Sequence, residues 1–303
     1  MPRVQLLLAA MLFGTTGTAQ ALFADGRSPL AIGAGRIVVG GIALAALAAV
    51  AGGWRPRSSN RTASWPIGSI LLAGAGVAVY QLAFFSALTR TGVAVGTVVA
   101  IGSGPIVAGL IEWRLEGRSP GRRWVIATAL AMTGVIALTL ASGADATISA
   151  PGLGLALVAG TGYAIYAVVA RRLIAGGRPP VGVMGATFGT AAILLIPVLA
   201  VSGGDAIVTD VRPTLLVLYL GLLPTAVAYV LFARGLRHVQ AAEATTIVLA
   251  EPVTATVLGI LILGEQVQGL GLAGAAFVLA GLLVLAIPRA RPPVRAATVG
   301  VDP

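Results

Sequence analysis

Apolar runs of about 20 residues, broken by Gly, Pro or charged clusters, follow one another along nearly the whole chain. An α-helix needs a run of that length to cross the hydrocarbon core of a bilayer. Only 10% of the residues are charged and 57% are hydrophobic, whereas a soluble domain has about 25% charged residues. No soluble fold has enough interior for so many apolar side chains. The chain is therefore predicted to be an all-α integral membrane protein.

The runs define ten predicted transmembrane helices. Their bounds are 4–23, 29–51, 66–88, 92–112, 122–141, 152–174, 181–202, 213–235, 239–263 and 267–287. The first run, with Arg3 before it and Ala19-Gln20-Ala21 near its end, also has features of a secretory signal peptide. We interpret it as an uncleaved first helix, because it is similar in length to the helices that follow.

Four residues of the first half recur in the second half at a constant offset of 147 residues. The pairs are Pro105 and Pro252, Gly117 and Gly264, Gly134 and Gly281, and Leu138 and Leu285. Such a repeat is typical of an internally duplicated transporter, whose substrate site lies between the two copies. We predict five-helix repeats at 1–141 and 152–287, an external linker at 142–151 and a disordered cytoplasmic tail at 288–303.

The arginines predict how the chain crosses the membrane. If the N-terminus is cytoplasmic, 16 arginines fall in cytoplasmic segments, and only Arg27, Arg90 and Arg212 fall outside. This bias obeys the positive-inside rule and places both termini in the cytoplasm, with the bacterial cytoplasmic membrane as the predicted location. Because each copy has five spans, an odd number, the second copy must enter from the opposite side. The fold is thus predicted to consist of two inverted five-helix repeats.

Short motifs in both halves add a family resemblance. The second half contains Leu249-Ala250-Glu251-Pro252, Leu263-Gly264-Glu265, Gly274 and Gly281, and the first half contains Phe13-Gly14, Gly104-Pro105, Glu116-Gly117 and Gly134. In this order, the set resembles the drug/metabolite transporter superfamily, in its ten-helix EamA-type branch. The resemblance implies a central cavity between the halves, alternating access, and export of amino acids and other small metabolites.

Glu251 and Arg36 are the strongest candidates for a site. Each places an ionisable group inside an apolar span, where charge is costly and usually functional. Glu251 could couple protons or bind a substrate ammonium group, and Arg36 could hold a carboxylate bidentately. If both face one cavity, they suit the two ends of a zwitterionic amino acid. The structural alternative is that Glu251 pairs with a helix terminus or an arginine, and that Arg36 neutralises Glu251 or Glu112.

Polar and aromatic residues within the spans extend the candidate lining of the cavity. They are Thr15, Thr16, Gln20, Tyr80, Gln81, Phe84, Ser103, Tyr163, Tyr166, Tyr229, Thr245 and Thr246. Alternatively, intramembrane Ser and Thr serve helix packing, and Tyr lies at the membrane interface. Pro105 and Pro252 are predicted to be symmetry-related hinges, since a proline inside a helix removes a backbone hydrogen bond.

Composition also bounds the chemistry. The chain has no cysteine and one histidine, so neither a metal site nor a cofactor is predicted. It has no lysine, which the Walker phosphate-binding motif requires, so it does not hydrolyse ATP itself. The net charge of +10 reflects arginines in the loops rather than a nucleic-acid surface.

The predicted function is therefore a secondary transporter or facilitator, and more specifically an exporter of amino acids or related metabolites. Its predicted partners are a small-molecule substrate and the lipid bilayer, with the proton as a candidate coupling ion, and the protein is predicted to be a monomer or a homodimer. An exporter of hydrophobic or cationic drugs is the alternative. A membrane-embedded enzyme is less favoured, because the acidic residues are dispersed along the chain.

Overall fold

The computed structural model describes residues 2–54, 65–117, 119–141, 149–265 and 269–287. Within these ranges, ten helices are long and apolar enough to cross a membrane. They are α1 (Pro2–Phe23), α2 (Pro29–Val50), α3 (Ile67–Gly92), α4 (Val95–Glu116), α5 (Arg122–Ala141), α6 (Ala150–Ala175), α7 (Pro180–Val201), α8 (Val211–Leu236), α9 (Ala241–Leu263) and α10 (Gly269–Ala286). The prediction of an all-α membrane protein with ten spans is confirmed.

The connections between helices differ from the prediction in detail. A short helix, Gly204–Val208, lies between α7 and α8, where only a loop was expected. Residues 150–151, which were predicted to belong to the external linker, form the first turn of α6. The rest of that linker before Ser149 and the predicted tail at 288–303 lie outside the described residues.

Glycines with positive φ lie at the ends of three helices, α3, α4 and α9. Helical structure runs from Ile67 to Glu116 with a single interruption at Gly92, whose φ of 75° and ψ of 163° divide α3 from α4. The repeated pair Gly117 and Gly264 end α4 and α9 with φ values of 69° and 72°. Side chains disfavour this left-handed conformation, which explains why both copies carry glycine there.

The repeated glycines Gly134 and Gly281 also determine how α5 packs against α10. A Cβ added to Gly134 would lie 2.5 Å from the Gly274 carbonyl oxygen and 2.6 Å from the Val278 backbone nitrogen. A Cβ added to Gly281 would lie 2.6 Å from the Ala127 carbonyl oxygen and 3.0 Å from the Ala131 backbone nitrogen. The second set of contacts is the first set shifted by the 147-residue repeat. Residues early in α5 contact residues late in α10, and residues late in α5 contact residues early in α10, so the two helices run antiparallel.

The other helices pack through small residues in the same way. In α2 and α7, Gly41 lies against the Phe188 carbonyl and Gly185 against the Leu44 carbonyl, so these helices also run antiparallel. α6 of the second copy packs on α3 of the first copy through Gly162 and Gly76. Without a hydrophobic driving force in lipid, such close backbone contact is a main source of helix association.

Two helices of the second copy depart from regular α-helix. α8 contains a π-helical segment, Leu222–Val227, around Pro224. α9 is interrupted after Val248 and restarts at Glu251, and its last turns, Gly259–Leu263, are π-helical. Irregular backbone at membrane depth is tolerated where it is buried in protein or lines a cavity. By contrast, α4 continues through Pro105 without a break.

Candidate functional site

The helices converge on a small cavity of about 40 Å³. Seven of them contribute to its wall, from both copies of the repeat. The lining residues are Phe13 and Thr16 of α1, Arg36 of α2, Tyr80 of α3, Ile101 of α4, Tyr163 of α6, Tyr229 of α8, and Val248 and Glu251 of α9. Ligand pockets usually measure roughly 300–1,000 Å³, so the cavity is smaller than a typical ligand pocket in this conformation.

Glu251 lines the cavity and is the first residue of α9 after its interruption. The N–H groups of Leu249 and Ala250 donate to the carbonyls of Thr246 and Ile247, at 3.1 Å in both cases, in tight three-residue turns. Pro252 has no N–H to donate and is favourable in the first turn of the restarted helix. The carboxyl group thus lies at a helix start, where the helix dipole favours negative charge.

Glycine in α1 brings that helix close to Glu251. A Cβ on Gly14 would lie 2.7 Å from the Glu251 carbonyl oxygen and 2.6 Å from the Thr254 Cβ. Only glycine fits this approach without a shift of one helix. The preceding residue, Phe13, directs its ring into the cavity and packs on Tyr229 at 5.0 Å between ring centroids.

Arg36 is oriented by a buried glutamine. Its Nη2 donates to Gln81 Oε1 at 3.2 Å, and Gln81 is only 1% exposed. The buried Arg36 Nε and Gln81 Nε2 have no hydrogen-bond partner among the described residues. In that same part of the chain, the ion pairs join other residues, and Arg36 does not approach Glu251 within 4.0 Å. The cavity therefore presents a cation and an acidic group that do not neutralise each other by direct contact.

Aromatic rings surround these two groups. Tyr80 lies 5.7 Å from Tyr163, Tyr163 lies 5.3 Å from Tyr166, and Tyr166 lies 6.0 Å from Tyr229, measured between ring centroids. Phe84 stacks on Tyr80 at 5.6 Å. The hydroxyls of Tyr163 and Tyr166 are buried and, within the described ranges, have no hydrogen-bond partner. Such rings offer an apolar surface with polar tips, which is typical of ligand pockets.

Some of the remaining predicted lining residues contact the cavity wall from outside, and others serve helix packing. Three of them do not line the cavity but contact residues that do: Gln81, Phe84 and Tyr166. Ser103 donates to the Ala100 carbonyl and packs on Gly160.

Three threonines and one glutamine lie away from the cavity. Thr15 donates to the Leu12 carbonyl and accepts from the Tyr219 hydroxyl. Thr245 bonds to the backbone of its own helix. Thr246 accepts from Trp124 Nε1 at 3.1 Å and so joins α9 to α5. Gln20 does not line the cavity.

Three lining residues, Phe13, Ile101 and Val248, were not among the predicted site residues. The resemblance pointed to Phe13-Gly14, but no charge or polarity marked Ile101 and Val248. The neighbouring Gly104 also has a role that sequence did not show. A Cβ there would lie 2.6 Å from the Tyr163 ring, so glycine at this position makes room for that tyrosine.

Glu112 has a structural role that differs from the one considered from sequence. Its two carboxylate oxygens accept the N–H groups of Ala241 and Ala242 at 2.7 and 3.0 Å. These are orphan donors at the start of α9, and Gln240 provides no side-chain cap for them. Glu112 therefore caps a helix of the other copy and is not the partner of Arg36.

Fold and site define a multi-pass membrane protein with a central cavity that contains Arg36 and Glu251 and is lined by residues from both halves of the chain. The EamA-like transporter family model matches twice, at residues 4–140 and 150–287. Uncharacterized transporter YwfM of Bacillus subtilis (strain 168) is 41% identical over 286 residues, covering 94% of this chain and 93% of that protein. An uncharacterized transporter of Clostridium kluyveri is 30% identical over 136 residues, covering 44% of this chain and 43% of its own length.

A solved crystal structure has the same fold. It superposes with a TM-score of 0.75 and 22% identity, covering 94% of this chain and 96% of that one. The chain belongs to the EamA-like transporter family, and it is a transporter. The family model thus matches each half of the chain separately.

Proposed function

We propose that this transporter exports amino acids or related zwitterionic metabolites by alternating access around the central cavity. The observation that carries the proposal is the presence of Arg36 and Glu251 in one closed, tyrosine-lined cavity without a direct ion pair between them. A guanidinium binds a carboxylate bidentately, and a carboxylate attracts an ammonium group. An amino acid carries both partners.

Alternating access is supported by the relation between the halves. α5 and α10 run antiparallel, and their contacts interchange under the 147-residue repeat. A two-fold axis in the plane of the membrane would produce this pattern and would make the two copies inverted repeats. With both termini in the cytoplasm, rocking of one copy against the other would expose the cavity to each side in turn.

Contacts at both ends of the bundle fit a closed intermediate in such a cycle. At one end, Arg27 pairs with Asp210 at 2.9 Å, and Arg212 pairs with Asp25 at 3.5 Å. At the opposite end, Arg3 pairs with Glu243 at 2.8 Å. Each pair joins residues of different copies, so opening at either end separates one set while the other stays formed.

The outward direction rests on the resemblance to family members that export small metabolites. Glu251 is the proposed proton-coupling group, because it is the acidic residue of the cavity wall. Export of hydrophobic cations is the second candidate. Tyrosines beside Glu251 favour it through cation–π attraction, whereas Arg36 in the same wall opposes it.

Transport in liposomes tests the proposal. Purified protein would be reconstituted and assayed with a panel of amino acids and cationic dyes, with and without a pH gradient. We expect accumulation of at least one amino acid, loss of the pH-gradient effect in Glu251→Gln, and a rise in KM of roughly tenfold or more in Arg36→Gln. Asp205→Asn, an exposed acid away from the cavity, is the matched control and should retain activity. Transport of dyes alone would refute the substrate class, and full pH-driven transport in Glu251→Gln would remove that residue from coupling.

A further inference from the structure

A second cavity, distinct from the central one, lies where α1 and α7 begin and α2 and α8 end. It measures about 420 Å³ and is lined by Gln5, Ala51, Gly53, Pro179, Pro180, Val181, Arg234, Arg237 and His238. Neither the family assignment nor the proposed transport cycle gives this cavity a role. Its position, between helices of both copies at one end of the bundle, makes it a candidate binding site in its own right.

The cavity is positively charged without compensation. The side chains of Arg234 and Arg237 are exposed and form no ion pair within the part of the chain that the structure describes. Among the described residues, no acidic side chain lines the wall. Glu243, which lies on the next helix, is paired with Arg3. Residues 55–64, which follow Gly53 and Trp54 in the chain, add three arginines and no acid to the sequence.

Aromatic and apolar residues indicate the level of this cavity in the membrane. Trp65 Nε1 donates to the Trp54 carbonyl at 3.0 Å, and the two rings lie 5.9 Å apart. A Cβ on Gly182 would lie 3.2 Å from the Trp65 ring, so the tryptophan pair adjoins the start of α7. Tryptophans are enriched at the membrane–water interface. Val50, next to the cavity residue Ala51, is 89% exposed and places an apolar side chain on the protein surface beside the cavity.

We propose that this cavity binds the phosphate headgroup of an anionic phospholipid, with Arg234 and Arg237 as the ligands of the phosphate. Arginine matches phosphate oxygens bidentately, and basic cavities between transmembrane helices hold anionic headgroups. The arginine distribution places this end of the bundle in the cytoplasm, where the leaflet is rich in anionic lipid. The exposed apolar surface beside Ala51 accommodates the acyl chains, which a free phosphate lacks.

Lipid binding can be measured on the full-length transporter in detergent micelles. Native mass spectrometry would compare retention of added phosphatidylglycerol with that of phosphatidylcholine. We expect one preferentially retained phosphatidylglycerol. Its affinity should fall by roughly 30-fold in the Arg234→Gln, Arg237→Gln double variant, since each arginine near the phosphate contributes about fivefold. A thermal melt with and without phosphatidylglycerol gives a second readout, because a ligand of the folded state raises the melting temperature.

The Arg114→Gln, Arg122→Gln double variant is the matched control. It removes the same charge from exposed positions that do not line this cavity, at the ends of α4 and α5 predicted to face the cytoplasm. It should retain the lipid and its thermal effect. Equal retention by the wild type and the Arg234→Gln, Arg237→Gln variant would overturn the site. A thermal shift of the same size with inorganic phosphate alone would overturn the lipid as the ligand and leave free phosphate in its place.

Discussion

Buried polar groups around the central cavity are incompletely bonded to the protein. Arg36 Nε, Gln81 Nε2 and the hydroxyls of Tyr163 and Tyr166 have no hydrogen-bond partner in the described ranges. Each such group costs about 1–3 kcal/mol when it is left unsatisfied. Their concentration beside Glu251 favours a binding site over a purely structural core, since packing alone would be more stable with apolar side chains here.

Glu112 offers a test at the level of a single residue. Glu112→Ala leaves the buried N–H groups of Ala241 and Ala242 without acceptors, so we expect a loss of roughly 2–3 kcal/mol in the free energy of unfolding. Melting in detergent would measure it. Glu116→Ala, one turn along α4 and exposed, should change little. If both variants melt alike, the cap does not stabilise α9.

Charge is what made part of the site predictable from sequence. Arg36 and Glu251 are conspicuous because each is an ionisable residue within an apolar run, and the structure brings both to one cavity. Thr15 and Thr246 look equally polar in sequence but are engaged in hydrogen bonds elsewhere. Sequence cannot distinguish Val248, which lines the cavity, from a valine that faces lipid, because both positions require only an apolar side chain.

Helix bounds could be predicted closely because bilayer thickness sets the length of each element. Each described span lies within four residues of its predicted bounds. The π-helical segment at Leu222–Val227 could not be predicted, since an apolar run does not reveal how its backbone hydrogen bonds are paired. The break in α9 was indicated by Pro252, although the same argument applied to Pro105, where α4 remains continuous.

The glycines of the α5–α10 interface provide a test at the level of elements. Gly134→Ala and Gly281→Ala each place a methyl group less than 3 Å from a backbone carbonyl of the facing helix. We expect each to destabilise the protein by about 1–3 kcal/mol, and by similar amounts because the contacts are related by the repeat. Thermal melting would show this.

Gly154→Ala serves as the control for these substitutions. Gly154 lies in α6, and no contacting atom of the described residues lies within 4 Å of an added Cβ. Alanine there should therefore be neutral or stabilise by up to about 1 kcal/mol. Stabilisation by Gly134→Ala as well would contradict the close packing of α5 on α10.

The proline hinges are a second element-level test. Pro105→Ala and Pro252→Ala should change the transport rate in liposomes more than the melting temperature. We expect the larger change at Pro252, because α9 is interrupted there and alanine would allow a continuous helix. Unchanged transport rates in both variants would refute the hinge proposal.

Across the whole molecule, packing is more symmetric than chemistry. The α5–α10 contacts interchange under the repeat, and Gly117 and Gly264 end corresponding helices with the same backbone conformation. Glu251 has Gly104 as its counterpart, and that glycine makes room for Tyr163 instead of carrying charge. In the alternating-access proposal, the repeated packing is the framework that opens to either side, and the second half supplies the acidic group.

The most direct test of alternating access uses the absence of cysteine from all 303 residues. A Thr16→Cys variant introduces a single thiol into the wall of the central cavity. Labelling of this thiol by a membrane-impermeant maleimide would be measured in right-side-out and inside-out vesicles, with exposed Asp205→Cys as a control that should react from one side only. We predict that the thiol at position 16 reacts from both sides and is protected by the amino acid identified in the liposome panel. Reaction from only one side, or no protection by that amino acid, would contradict a central substrate site with alternating access.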